Sequence, residues 1–484
     1  MATRKKRRTP VSGQNRSKDL SPSAKSPTAA VRGFLQNYGY TSVLAGGIAV
    51  RLVVFAYMGF FNNDNHIAVI DYVSRHWTPP RADQFSQAYQ PPLYYFIAAP
   101  LLRLGGVSAV HGLSLLLSVG TLLLIARLLR RLPWITEEAR SWALALAAFH
   151  PQVIMFSLFV SNDTLAIFLG ALIFHQGWRL QLNPSLANHL LLAVGLGLGL
   201  LTKAVFLAFI VPLGLLIWMN GRRRALSMRQ ITAQIIVFLL IGGALGCYKY
   251  VENSIFFGDP TFSNLDFGDF VKDQRPTWLG ASSLFDFNLL KLVLNPIIST
   301  ATAHSYPLML YGSFWYSFIP ESTFRSNLIA PFGGLGSLIY IAALLPTLVV
   351  LLGAVRIGGT LFRIRLTVKA EDDLDHRLRS EYEGILLLTL SLNFLLILFV
   401  GWKSDVLSVF QGRLLFPSYT AFLLAFNSGM EWANSSILKT NVIRCSLALL
   451  IVFFLSYAII NVWLAIQYPV NPLRLDHMPF KIVL

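Results

Sequence analysis

Long apolar runs separated by short polar connections dominate the 484-residue chain. A helix crossing a bilayer needs about 20 mostly apolar residues. Runs of that kind fall near 41–60, 107–126, 140–160, 164–181, 189–202, 204–220, 231–251, 332–355, 385–401, 413–429 and 442–466. The pattern predicts an all-α polytopic membrane protein with about 11 transmembrane helices. The pair around Lys203 admits a second reading, because 189–220 also fits one long, tilted or broken helix, which would change the parity.

The first polar stretch after a span differs from the other connections. FNNDNHIAVIDYVSRHW, residues 61–77, has the spacing of a short helix. If 64–76 is helical, Asp64, Ala68, Asp71 and Arg75 share one face, and His66 points about 160° away from Asp64. Asp64 at the start of such a helix also suits an N-terminal cap. QAYQPPLYY follows, with Pro91 and Pro92 fixing the backbone ahead of Leu93, Tyr94, Tyr95, Phe96 and Ile97. This run is too short to span before Arg103, so 92–103 is expected as a helix in the interface plane with its tyrosines at headgroup level.

Composition agrees with the pattern: 55% of residues are hydrophobic, 13% are charged, and mean hydropathy is +0.57. Those values exclude an ordinary soluble domain. Net charge is +17, and its distribution indicates topology. Nine Lys or Arg lie within the first 32 residues, and further clusters sit at Arg127, Arg130 and Arg131, at Arg222 to Arg224, and at Arg356, Arg363, Arg365, Lys369, Arg377 and Arg379. With eleven spans and a cytoplasmic N-terminus all of these share the inner side, leaving loops 61–106, 252–331 and 402–412 and the C-terminal tail outside. Attraction to anionic lipid accounts for the charge, and no nucleic-acid partner is needed.

Residues 1–36 read as a disordered basic cytoplasmic tail, rich in Ser, Pro and Lys, without a cleavable signal. Residues 37–466 form the transmembrane domain and 467–484 an outer tail. Cys247 and Cys445 fall inside spans and suggest neither a disulfide framework nor a thiolate metal site.

Several charged or polar residues are not explained by topology. Lys203 interrupts two apolar stretches and Arg413 opens a span on the outer side, where snorkelling or an ion pair with Asp405 competes with a binding role. Asp163 starts a span after Ser161 and Asn162, where a helix cap and a site residue are equally good readings. Arg51, inside the first span, suits an ion pair with Asp64 or Asp163. His150 and His175 are expected as hydrogen-bonded core histidines. The aromatics and prolines of 276–320, including Trp278, Trp315, Tyr316 and Pro320, suggest a cap lying on the membrane, and 358–383 a solvated or flexible connector.

Four stretches in order resemble the membrane-embedded GT-C glycosyltransferases, in the branch of protein O-mannosyltransferases and lipid A aminoarabinose transferases. Gln90 to Tyr95 is similar to that family's His/Gln-Pro-Pro-Leu motif, and HPQVIMFSLFVSNDTLAIF, residues 150–168, to its Pro-containing helix with Ser-Asn-Asp at the outer end. GLGLGLLTKAVFLAFIVPLGL, residues 195–215, resembles its Gly-rich Leu-Thr-Lys segment, and QGRLLFPSY, residues 411–419, its Gln-x-Arg-Tyr-x-x-Pro pattern. Where the family carries an acidic pair in the first outer loop, this chain reads Asn63-Asp64.

The resemblance implies transfer of a sugar from a polyprenyl-phosphate donor to a lipid, glycan or protein acceptor, with inversion, at the outer side of a bacterial inner membrane. Under it Asp64 is the expected general base, with Asp71 and Asp163 as competitors. Asn65, His66, Gln90, Tyr94, Asn162, Asp163, Lys203 and Arg413 are expected to contact substrate, the two cations at the lipid phosphate. A divalent cation bridging Asp64 and the phosphate is open as a cofactor, although no carboxylate cluster demands one. Two other classes stay open: a non-catalytic polytopic transporter or lipid-binding protein, and a ligase or polymerase of lipid-linked glycans.

Overall fold

The computed structural model describes residues 27–60, 64–85, 87–262, 281–296, 305–316, 333–367, 374–404, 411–436 and 440–467. They form helices in the order α1 (Pro27–Met58), α2 (His66–His76), α3 (Leu93–Arg131), α4 (Glu137–Phe149), α5 (Pro151–Met155), α6 (Asn162–Leu182), α7 (Leu186–Leu200), α8 (Leu207–Arg223), α9 (Met228–Gly246), α10 (Tyr248–Phe257), α11 (Leu289–Leu294), α12 (Tyr306–Trp315), α13 (Gly333–Thr367), α14 (Leu374–Ser404), α15 (Tyr419–Ser436) and α16 (Thr440–Gln467). Three 3₁₀ turns, Ala204–Phe206, Ala281–Leu284 and Gly412–Ser418, lie between them. There is no β-sheet among the described residues. Asn63, Trp278, Pro320, Asp405, residues 1–26 and most of the C-terminal tail lie outside those described.

The chain is an all-α, integral, multi-pass membrane protein. Among the described residues, seven segments are long and apolar enough to cross a membrane: Gly39–Met58, Leu93–Arg131, Ala204–Arg223, Met228–Gly246, Gly334–Leu361, Leu374–Gly401 and Asn441–Gln467. Each of the other apolar runs read from the sequence also contains a helix, with breaks that hydropathy does not show. The run 140–160 divides at His150-Pro151 into α4 and α5, because proline has no N–H for the helical ladder. The stretch 189–220 is two helices, α7 ending at Leu200 and Lys203 in extended backbone before the 3₁₀ turn. Helix α3 has 39 residues, about 58 Å of helix, and bends where Gly105 and Gly106 leave helical angles. Its first leg is the helix expected after Pro92.

Three local expectations change. Helix α1 starts at Pro27, inside the stretch read as a tail. Helices α13 and α14 continue through much of 358–383, so that region is less a connector than the ends of two long helices. Trp315 and Tyr316 are 2% and 6% exposed, packed into the core and not spread over a surface cap.

Close packing of α13 on α15 depends on two glycines. A Cβ on Gly353 would stand 1.8 Å from the Ala425 carbonyl oxygen, and one on Gly429 1.8 Å from that of Val349. The backbones touch because neither helix presents a side chain there, as is common where small residues line a membrane helix interface.

The two ends of the bundle differ in chemistry. One end gathers the positive clusters: Arg130 reaches Thr41 at 3.2 Å, Arg444 pairs with Glu138, Arg223 meets Glu381 at 3.1 Å, and Arg379 meets Glu431 at 2.6 Å. The other end carries the first polar loop and the breaks before α6, α8 and α15.

Candidate functional site

Four separate segments bring charge together at that second end. Asn65, which caps α2, has φ 56° and ψ 37°, a left-handed conformation that asparagine tolerates better than most residues. The turn places Asp64 outside the helix and lets its carboxylate fold back beside His66, 4.0 Å from Nε2. The sequence reading, with Asp64 and Asp71 on one helical face and His66 turned away, is therefore corrected. Asp71 is solvent-facing and pairs with Arg75 at 2.8 Å, whereas His66 is 2% exposed. Nor does Asp64 cap the helix, since no side-chain cap bond is made there.

Helix α2 holds this arrangement by burying Val69, Ile70 and Val73 completely. Its partner is the first leg of α3, pinned where the Leu93 N–H donates to the Leu201 carbonyl at 2.9 Å. Tyr95 stacks on His66, and its hydroxyl lies 3.0 Å from Nδ1 while donating to the Gln87 carbonyl at 3.3 Å. With that proton committed, hydrogen-bond logic assigns the imidazole proton to Nδ1. His66 Nε2 then faces Ser161 Oγ at 3.3 Å and Asp64.

Ser161 caps α6 by accepting from the Asp163 N–H at 3.1 Å, which places Asp163 in the first turn, where the helix dipole favours a carboxylate. Asp163 Oδ1 accepts from the Lys203 ammonium and Oδ2 lies 3.6 Å from Arg413 Nη1. Arg413 Nη1 also donates to Asp64 Oδ2 at 2.8 Å. Asn162 ties the surround, donating to Gln90 Oε1 at 3.3 Å and to the Thr202 carbonyl at 3.2 Å. Two glycines permit the approach of Arg413. A Cβ on Gly170 would stand 2.0 Å from the Pro417 carbonyl oxygen, and one on Gly412 2.5 Å from Phe314 N.

The cluster thus contains two carboxylates and two cations. Asp64 keeps 23% of its side chain exposed and Asp163 3%, with Lys203 at 9% and Arg413 at 10%. Burial pushes the Asp64 carboxyl up, but the charge of Arg413 and its hydrogen bond act against it, and the group is held below its ordinary value. Burial lowers His66 to about 4, so its ring is neutral at physiological pH.

Of the residues expected from sequence, Asp64, His66, Asp163, Lys203 and Arg413 meet in this cluster, and Gln90 and Asn162 brace it. Asn65 shapes the turn. Tyr94 is fully buried behind His66, edge-on with ring centroids 6.4 Å apart, and Tyr95 is buried beside it. Arg51 is not paired with a carboxylate: its guanidinium donates to the carbonyls of Gly47, Ala147 and Ala148 and to Ser118 Oγ. His150 is not hydrogen-bonded through its ring; both nitrogens are buried without partners among Phe314, Trp315, Phe416, Tyr419 and Phe454. His175 Nε2 also lacks one. Sequence reasoning passed over Tyr95 and Ser161. Their only signal was proximity to the Pro-Pro motif and to Asn162.

A divalent cation does not fit the donors as arranged. The two carboxylates already face Lys203 and Arg413, whose charges would repel a metal ion. Among the described residues no group of three or more His, Cys, Asp or Glu side chains is arranged to hold one.

No protein-family model matches the chain, and no curated protein does. Among solved structures, the chain is similar to ArnT from Cupriavidus metallidurans in the apo state, with TM-score 0.36 and 12% identity over 84% of this chain and 80% of that one. It is also similar to ArnT from Cupriavidus metallidurans bound to undecaprenyl phosphate, with TM-score 0.36 and 14% identity over 82% and 80%. At those scores the overlap adds nothing to what the geometry supports.

Proposed function

We propose that the chain is a membrane glycosyltransferase that takes a sugar from a polyprenyl-phosphate donor, inverts the anomeric carbon, and acts at the outer side of a bacterial inner membrane. The observation that carries this reading is the meeting of Asp64, Asp163, Lys203 and Arg413 from four segments, three of which bear the motifs of the GT-C resemblance. Such a site needs an acceptor for the proton of the attacking hydroxyl or amine, and a cation for the departing phosphate.

Asp64 is the better base because it is the more accessible carboxylate; Asp163 is enclosed by Lys203, Arg413 and the Ser161 hydroxyl. While Asp64 is paired with Arg413 it is a weak proton acceptor. A donor phosphate competing for Arg413 would loosen that pair, raise the proton affinity of Asp64 and leave Lys203 to keep Asp163 ionised. Base activation is thereby coupled to donor binding. His66, neutral and fixed by Tyr95, lines the site beside the Asp64 carboxylate without donating to it. No step requires a metal.

The test is release of polyprenyl phosphate from a polyprenyl-phosphate sugar by the purified protein in detergent. Asp64→Asn is expected to lower release by two or more orders of magnitude, roughly the contribution of a general base, while the melting temperature shows folded protein. Release unchanged in that variant would place the base elsewhere. Movement of lipid across proteoliposomes without cleavage of the glycosidic bond would favour the transport class.

A further inference from the structure

At the end of the bundle remote from this site, α7 and α9 line an open-sided cavity of about 440 Å³. Its polar rim lies at the Ser185 end of α7, whose 15 residues, about 22 Å, run from there towards Lys203. Leu190, Ala193, Val237 and Ile241 form its apolar wall, and Ser185, His189, Arg224 and Gln234 its polar rim. That division matches an amphiphile with an anionic head.

The polar rim has a defined local structure. The last turn of α8 closes with the Leu226 N–H on the Gly221 carbonyl at 3.0 Å, and Ala225 has a positive φ of 53°. This reversal brings Arg224 across to α7, where its Nη1 donates to the Pro184 carbonyl at 3.0 Å. The neighbouring arginines are engaged differently, Arg222 towards Met228 Sδ and Arg223 with Glu381. His189 Nδ1 is satisfied by the Ser185 carbonyl at 2.8 Å, while its Nε2, which is buried, has no hydrogen-bond partner. A guanidinium at the mouth of an apolar slot is suited to a phosphodiester oxygen, with an acyl chain in the slot.

We propose that this cavity is a specific site for one anionic phospholipid of the leaflet facing the positive end of the bundle, with its phosphate at Arg224 and one acyl chain along α7 and α9. Charge complementarity selects an anionic over a zwitterionic lipid, and the wall selects a lipid over free phosphate. The site is independent of the proposed transferase chemistry.

Native mass spectrometry of the full-length protein in mild detergent tests this, with phosphatidylglycerol, phosphatidylcholine and glycerol phosphate as probes. Wild type is expected to retain one phosphatidylglycerol in preference to phosphatidylcholine. Arg224→Gln should reduce that preference about fivefold, the effect of about one interfacial charge, whereas Arg222→Gln should leave it intact. Leu190→Trp, which fills the slot from an exposed position, should abolish retention without lowering the lipid-free melting temperature. Equal preference in Arg224→Gln and wild type overturns the proposal, and so does glycerol phosphate binding as well as the whole lipid.

Discussion

Lys203 and Asp163 provide the most direct test of how the charged cluster is held. Their side chains are 9% and 3% exposed, so little water is available to either if its partner is removed. Breaking a buried ion pair from one side costs about 3–5 kcal/mol, chiefly because a charge is left uncompensated. The two sides are unequal here. Asp163→Asn leaves Lys203 without a carboxylate, while Arg413 still holds Asp64 at 2.8 Å, so the full range, about 3–5 kcal/mol, is expected. Lys203→Met leaves Asp163 with Arg413 at 3.6 Å and the Ser161 hydroxyl at 3.2 Å, and about 1–3 kcal/mol is expected. The double variant D163N/K203M buries no stranded charge from this pair and should fall short of the sum of the singles by about 1–3 kcal/mol. Reversible unfolding in detergent, followed by tryptophan fluorescence, measures all four corners of the cycle. Additivity within about 0.5 kcal/mol, or a larger loss for Lys203→Met than for Asp163→Asn, would refute the account of the cluster as a buried network in which Arg413 shares both carboxylates.

Other consequences follow from single contacts. His66 is lowered to about 4 in the folded protein from an ordinary value of 6.5, so between those pH values the unfolded chain binds the extra proton. Stability is then fully present above about pH 6.5 and declines towards pH 4, by about 3 kcal/mol in all at about 1.4 kcal/mol per unit; melting curves across that range should flatten in His66→Gln. Gly353→Ala forces a methyl against the Ala425 carbonyl, and circular-dichroism melts should show a loss of about 1–3 kcal/mol, whereas Gly358→Ala, with open space at its Cβ, should be close to neutral. Arg51→Met leaves the carbonyls of Ala148 and Ala147, 2.7 and 3.1 Å from the guanidinium, without that donor. A loss of at least about 2 kcal/mol is expected, with polyprenyl-phosphate release per folded molecule unchanged if Arg51 acts only on structure.

Much of the candidate site was legible because its signals were violations of the local pattern. Lys203 between apolar runs and Arg413 at the start of a span are costly where they stand, so a compensating partner could be anticipated from sequence alone. The partner's identity could not. Arg413 suggested nearby Asp405, which lies outside the described residues; among those described it reaches Asp64, 349 positions away, and Asp163. Arg51 looked equally anomalous and proved to be bound to carbonyls exposed where Pro151 interrupts the helix after α4, a demand that hydropathy does not display.

The chain's apolar periodicity determined the helical class, the approximate course of each span and the end at which the positive charge collects, because solvation in lipid acts on each segment separately. The tertiary structure decided what depends on directions. The left-handed turn at Asn65 moved Asp64 off the helical face and next to His66, and the break at Leu201 to Lys203 turned an ammonium towards α6. Contacts at Gly170 and Gly412 brought Arg413 close enough to join both carboxylates. A hydrophobic pattern specifies which residues leave water; which buried charges then meet depends on backbone turns and side-chain volumes summed over the whole bundle.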